Sequence, residues 1–195
     1  MSTDSDKPIE YARRLYDDVR SWYDNADSKA QVVLAIDGAF LAFLTGAIFK
    51  EPSDLKAVFG EFSVWTWSLL ALMTLCLMAS VISAIYCLWS RIYSAEELQK
   101  LVEAAQGGNS HPAQYSPQTM WFFQMVANLE EKRFRTTLEA VNDLFEIEAM
   151  ASQIQIIAKN VRTKHHAVNA GFVLAAATLI LFFFAGLSYL AEVRI

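Results

Sequence analysis

The sequence predicts an all-α membrane protein in which three transmembrane helices accompany a cytoplasmic helical bundle. The chain has 195 residues and is 54% hydrophobic, which exceeds the content of an ordinary soluble domain. A bilayer core about 30 Å thick needs roughly 20 apolar residues in a helix, and three windows approach or exceed that length. Lysine and arginine concentrate in the segments on one side of these windows, which sets their orientation.

The three apolar windows are residues 32–49, 65–89 and 167–191. The second and third contain no charged residue, whereas the first contains one, Asp37. Both longer windows exceed the apolar core of a secretory signal, and the first thirty residues are polar, so we expect no cleavable signal.

The basic residues of the flanking segments predict the topology. The first 30 residues hold five lysines and arginines, segment 91–165 holds eight, and segment 50–64 holds two. Because positive charge is retained on the cytoplasmic side, we expect residues 1–30 and 91–165 in the cytoplasm. Segment 50–64 then forms a short outer loop, the spans cover about 31–49 and 65–89, and residues 166–195 form the third span with an external tail.

The N-terminal segment 1–30 is predicted to be an amphipathic helix. Its apolar residues recur at alternating spacings of three and four, which is the pattern of a helix-packing seam. These residues are Ile9, Ala12, Tyr16, Val19, Tyr23, Ala26 and Ala30.

The central segment 91–165 supplies a partner for that seam. We expect a continuation of the second span over 94–105, a mobile loop over 106–117, and one long helix rising into the third span, since no glycine or proline interrupts 119–170. Its apolar stripe consists of Phe134, Leu138, Val141, Phe145, Ile147, Ala151, Ile154, Ala158 and Val161.

Motifs of catalysis and of metal binding are missing from the sequence, so we expect no enzyme, no metal and no cofactor. His165 and His166 are adjacent and point to different faces of a helix. Cys76 and Cys87 lie about 16 Å apart along one helix, beyond disulfide reach within a chain. The net charge of −5 and the interspersed acids and bases give no sign of a nucleic-acid polymer as partner.

Asp37 is the most unusual residue of the first window. A central aspartate makes the free energy of membrane insertion of a span less favourable by about 2.5 to 3.5 kcal/mol on a translocon scale. We expect its carboxyl group to face the bundle interior, a polar cavity or a subunit interface rather than lipid. One interpretation is a buried, hydrogen-bonded or protonated acid that fixes helix packing. The other is membrane coupling, with one acid per subunit forming a ring in an oligomer.

Three stretches, in this order around three spans, resemble the Pycsar transmembrane effectors. ADSKAQVVLAIDG, residues 26–38, is similar to their AD-x-KA-x-x-LL-x-x-x-G opening. MWFFQM, residues 120–125, resembles their FF element, and residues 152–171 resemble the Q-I-x-x-x-(S/A)-x-x-x-x-x-K segment that leads into their last span. The resemblance covers about residues 16–186.

That resemblance implies an antiphage effector in the bacterial inner membrane. A cognate cyclase makes cyclic CMP or cyclic UMP, which binds the effector on the cytoplasmic side, and the effector then impairs the lipid bilayer, acting as a homo-oligomer. A phosphate needs a cation, and a base needs a flat apolar platform. The candidate ligand residues are Asp27, Lys29, Trp121, Phe122, Phe123, Arg133, Arg135 and Lys164.

Each of these residues also has an ordinary interpretation. Asp27 and Lys29 stand before a span, where charged residues are usually interfacial anchors. A Phe-Phe pair is usually core, and basic residues between glutamates usually form a solvated face. Two alternatives for the whole protein therefore stay open: a membrane scaffold whose cytoplasmic helices bind a protein partner, and a constitutive small ion channel subunit.

Overall fold

The computed structural model describes residues 7–49, 60, 62–89, 97, 100 and 114–193. About 90% of the structure is helical, and no strand lies within the described ranges, which confirms the all-α prediction. The helices in chain order are α1 (Lys7–Phe49), α2 (Val64–Leu88), a 3-10 helix (Pro117–Met120), α3 (Phe123–Val126), α4 (Glu131–Glu139) and α5 (Asp143–Val193).

Helices α1, α2 and α5 are long and apolar enough to cross a membrane. The three predicted spans are therefore confirmed by length and composition. Both α1 and α5 are much longer than a bilayer requires, because each also carries a polar, amphipathic stretch at its N-terminal end.

The chain divides into two compact units. The polar unit comprises the described residues of 1–23 and 90–161, and the membrane unit those of 24–89 and 162–195. Helices α1 and α5 contribute residues to both units. The predicted division of the chain at residues 30, 90 and 165 concerns the side of the membrane on which each segment lies, and it stays a prediction.

The membrane unit is a three-helix bundle whose inward faces follow heptad spacing. Its core holds small and β-branched side chains, which let helices approach closely. At Gly171 an added Cβ would lie 3.4 Å from Val33 Cγ1, so α1 and α5 are in near contact there. The core cluster consists of Ala26, Ala30, Val33, Ala84, Cys87 and Val168.

The predicted seam of the N-terminal helix is confirmed by burial. Ile9, Val19, Ala26 and Ala30 are buried, and the other predicted positions are half-buried. The seam also continues beyond the predicted segment, at the same spacing, through Val33 to Asp37. Asp37 is thus one position of a packing seam.

The prediction of one uninterrupted helix from residue 119 onward is wrong. The chain leaves helical geometry between α3 and α4 and again between α4 and α5. Side chains take the place of helical hydrogen bonds at these breaks. Asn142 Oδ1 accepts from Phe145 N at 2.9 Å and caps α5, and the Tyr115 hydroxyl oxygen accepts from Glu130 N at 3.1 Å.

Part of the apolar stripe predicted for segment 91–165 is also wrong, because the helix is interrupted there. Leu138 and Val141 are 52% and 44% exposed, and Ala151 is exposed as well. The break at residues 140–142 resets the helical phase, so side chains before and after it do not share one face. In the first two turns of α5 the buried positions are Ala149 and Met150, whereas Val161 of the predicted stripe is buried further along the helix.

Three predicted elements lie outside the described residues, wholly or for the most part. They are the continuation over 94–105, the outer loop over 50–64 and the loop over 106–117. The described end of the latter loop, however, is packed rather than mobile. Tyr115 and Ser116 are each 5% exposed, so both are buried within the polar unit to which they belong.

Candidate functional site

Arg133 is the most enclosed cation among the candidate ligand residues of the polar unit. Its guanidinium carbon lies 4.3 Å from the centre of the Tyr115 ring, a cation–π contact. Its Nη2 donates to the carbonyl oxygen of Gln114 at 2.8 Å. Its Nε is buried and has no hydrogen-bond partner among the described residues. A buried N–H without an acceptor is costly, so this position calls for an acceptor beyond those that the described residues supply.

The Tyr115 platform beneath Arg133 is fixed at both ends. Its backbone N donates to Thr137 Oγ1 at 3.0 Å, and its hydroxyl oxygen accepts from Glu130 N. Thr137 Oγ1 in turn donates to the Arg133 carbonyl oxygen at 2.8 Å. These bonds hold the arginine and the ring in one arrangement. Tyr115 was not among the predicted site residues, because it falls at the end of a predicted loop.

The three predicted aromatic residues lie in the same unit but differ in exposure. Trp121 is 36% exposed, and its ring meets that of Tyr16 edge to face at 5.2 Å. Phe122 and Phe123 have ring centres 5.0 Å apart, with Phe123 66% exposed. Trp121 and Phe123 therefore present accessible aromatic surface.

The predicted cations Arg135 and Lys29 are exposed. Arg135 Nε lies 3.3 Å from Glu139 Oε1, a pair on the surface of α4, and Lys29 lies on the exposed face of α1. A bidentate ion pair that was not predicted from the sequence joins α1 to α5. Arg13 donates to both carboxylate oxygens of Glu146, at 2.7 and 2.8 Å, and this holds the pKa of Glu146 below its usual value.

Asp27 and Lys164 belong to the membrane unit, where they bind each other. Lys164 Nζ lies 2.5 Å from Asp27 Oδ1, and Lys164 is only 9% exposed. Cys87 Sγ lies 3.7 Å from the carbonyl oxygen of Ala26 in the same layer. The positive charge of Lys164 is thus balanced within the bundle. Within the described residues no group of three histidine, cysteine or acidic side chains is arranged to hold a metal ion.

A second polar layer of the membrane unit surrounds Asp37, which is 2% exposed. Ser80 Oγ lies 2.7 Å from Asp37 Oδ2 and 3.0 Å from the carbonyl oxygen of Gly171. One hydroxyl group thereby contacts both other helices. Ser83 Oγ adds a bond from α2 to the carbonyl oxygen of Ala167 on α5, at 2.7 Å.

A third polar layer lies where α2 begins. Ser63 is the N-cap of α2, and its side chain accepts from Thr66 N. Glu192 of α5 accepts from Ser63 N at 3.1 Å and from Thr66 Oγ1 at 2.8 Å, and Ser188 joins the same group. A carboxylate from another helix therefore takes the role that a capping-box glutamate has within one helix. Serine before an apolar run signals the cap in the sequence, but nothing there signals its partner.

The fold and these layers define a helical membrane protein with three helices that are long and apolar enough to span a bilayer, and with a polar unit that bears a cation–aromatic cluster. Residues 11–191 match the family model described as the Pycsar effector protein domain. The chain therefore belongs to the Pycsar effector family, and the resemblance drawn from its motifs is confirmed. It is a membrane protein of antiphage defence. No curated protein and no solved structure matches the chain.

Proposed function

We propose that the protein binds a cyclic pyrimidine mononucleotide, cyclic CMP or cyclic UMP, on the cytoplasmic side and then impairs the bacterial inner membrane. The observation that carries the proposal is the family match, which extends through both units of the chain. In this proposal a cognate cyclase supplies the messenger, and the effector itself performs no chemical step. Several copies of the chain act together in the bilayer.

The chemistry of the messenger fits the polar unit. A cyclic mononucleotide carries one phosphate charge and one flat base. The Nε of Arg133 is a charged donor that has no hydrogen-bond partner among the described residues, and charge-assisted hydrogen bonds to phosphate are about twice as strong as neutral ones. The exposed rings of Trp121 and Phe123 offer apolar surface for a base. We assign the phosphate to Arg133 on these grounds.

Purified protein in detergent should be stabilised against heat by one of the two cyclic pyrimidine nucleotides. A ligand at 100 times its dissociation constant adds about 2.7 kcal/mol to the folded state. Arg133→Ala and Trp121→Ala should each reduce this shift, and Arg133→Lys should restore part of it by keeping the charge without the guanidinium fork. The measurement is the change in melting temperature over a nucleotide titration.

Lys132→Ala is the matched control, because Lys132 is an exposed cation beside Arg133 on α4. Its shift with nucleotide should equal that of the parent. If no cyclic mononucleotide moves the melting curve at millimolar concentration, the sensor proposal fails, and a scaffold that binds a protein partner becomes the better explanation. If induction without messenger is toxic, a constitutive channel is favoured instead.

The proposed topology follows from the distribution of basic residues. A reporter that is active only outside the inner membrane should be active when fused after Ile195, and silent when inserted near Asn109. A cytoplasmic reporter at the same two positions should give the opposite pattern. Activity of the external reporter at Asn109 would place the polar unit on the wrong side for a cytoplasmic messenger.

A further inference from the structure

The polar layer at Asp37 contains one proton donor between two acceptors. Ser80 Oγ lies 2.7 Å from Asp37 Oδ2 and 3.0 Å from the carbonyl oxygen of Gly171, both within hydrogen-bond distance. A serine hydroxyl carries one proton and can donate it to one acceptor at a time. The protonation state of Asp37 therefore decides whether both contacts are hydrogen bonds.

With an ionised carboxylate, the Ser80 proton goes to Asp37. The serine oxygen then faces the Gly171 carbonyl oxygen at 3.0 Å with no proton between them. With a protonated carboxyl group, Asp37 donates its proton to Ser80 Oγ and Ser80 donates to Gly171. Each oxygen pair then contains one proton, so the neutral acid alone makes both contacts favourable.

Among the described residues, no ion pair of Asp37 is present that would hold a carboxylate. No lysine, arginine or acid occurs in residues 65–89 or 167–191, the stretches of α2 and α5 that form the bundle. The buried Thr178 hydroxyl of α5 donates to its own helix, at the carbonyl oxygen of Leu174. Lys164 is bound to Asp27 in another layer, where Cys87 also lies. An unpaired buried carboxylate is costly and takes up a proton instead.

We propose that Asp37 is a proton-binding site inside the membrane bundle, occupied by a proton when the three helices are assembled. The proton completes a chain of hydrogen bonds from α1 through Ser80 of α2 to Gly171 of α5. Its loss removes the Ser80–Gly171 bond between α2 and α5 and leaves the Ser83–Ala167 bond in place, so this layer is sensitive to the proton. This inference stands independently of the messenger and of the proposed membrane damage.

Infrared spectroscopy of the full chain in lipid nanodiscs at neutral pH tests the proposal, since exposed carboxyl groups are ionised there. The parent should show the C=O stretch of a protonated carboxylic acid, and Asp37→Asn should lack it. Ser80→Ala should keep the band but shift its frequency, because the acid loses its hydrogen-bond acceptor. That shift decides the matter even where Asp37→Asn does not fold. Identical spectra of parent and Asp37→Asn, or no change in Ser80→Ala, would overturn the proposal.

Unfolding of the same proteins against pH provides a second readout. If the folded chain keeps a proton that the unfolded chain releases, stability falls as pH rises. Over that range the unfolding equilibrium constant of the parent, divided by that of Asp37→Asn, should rise tenfold per pH unit, the slope of one proton. A ratio that is constant or falls with pH contradicts the assignment.

Discussion

Asp37→Leu should abolish messenger-triggered depolarisation while making the first span insert more favourably. Replacing a central aspartate by leucine improves insertion by about 3 to 4 kcal/mol on the translocon scale. The substitution also removes the carboxyl group that Ser80 contacts and places a branched apolar side chain among packed helices. We expect a bundle that is stable but unable to rearrange. The measurement is the signal of a voltage-sensitive dye in cells that also express an active cyclase.

Two further variants distinguish the effect of a polar side chain at position 37 from the effect of its negative charge. Thr45→Leu is the matched control, because Thr45 is exposed on the same span and its hydroxyl donates to the carbonyl oxygen of Leu41 on its own helix. It should depolarise the membrane as the parent does. Asp37→Asn retains a hydrogen-bond donor in the layer, so it should be nearly normal if the acid is neutral and inactive if the negative charge itself is required.

These comparisons require equal amounts of each variant in the membrane. Should Asp37→Leu depolarise cells as strongly as the parent, the carboxyl group has no part in the mechanism. A loss of signal that Thr45→Leu shares would point to hydrophobicity of the span rather than to the polar layer.

Lys164→Met should destabilise the membrane unit by about 3 kcal/mol, the lower end of the cost of breaking a buried ion pair. Lys164 is 9% exposed, and its amine is bonded to Asp27, whose side chain is 28% exposed. Removing the lysine leaves that carboxylate in the layer of Cys87 without its cation. The measurement is the free energy of unfolding in detergent micelles.

The double variant Asp27→Asn with Lys164→Met tests the pairing. It should recover most of the loss, because exchanging both partners of a buried pair is often neutral. Arg135→Ala is the surface control and should change stability by less than about 1 kcal/mol, since its pair with Glu139 is exposed. A double variant as unstable as Lys164→Met alone would show that methionine packing, not the lost charge, causes the effect.

The features of this fold that the sequence predicts are those that depend on the spacing of apolar residues within one helix. The three spans follow from the lengths of apolar windows, and the seam of α1 follows from its three-and-four spacing, which the structure confirms from Ile9 to Ala30. The helix breaks before α4 and α5 were missed because no glycine or proline marks them. They depend on Tyr115 and Asn142, which accept hydrogen bonds that a continuous helix would have made internally.

The contacts between helices could not be predicted, because spacing within a helix does not give the register between helices. The candidate residue Asp37 was found from its cost in a span, yet its partner Ser80 is 43 residues away in the chain, and Gly171, which Ser80 also contacts, is 134 residues away. Lys164 was proposed as a phosphate cation, and only the structure shows Asp27 beside it. Which of these residues touch a ligand stays a prediction.

The capping of α2 by Glu192 has a consequence for the order of biosynthesis. Ser63 is made 129 residues before the glutamate that accepts its backbone N–H. At about 5 to 20 residues per second, the first two spans wait roughly 6 to 26 s on the ribosome–translocon assembly before that partner is made. During this interval the start of α2 has only the Ser63 side chain as a cap. The hairpin of α1 and α2 thus gains the Glu192 acceptor only after α5 has been made, so the cap of α2 is completed well after α2 itself is synthesised.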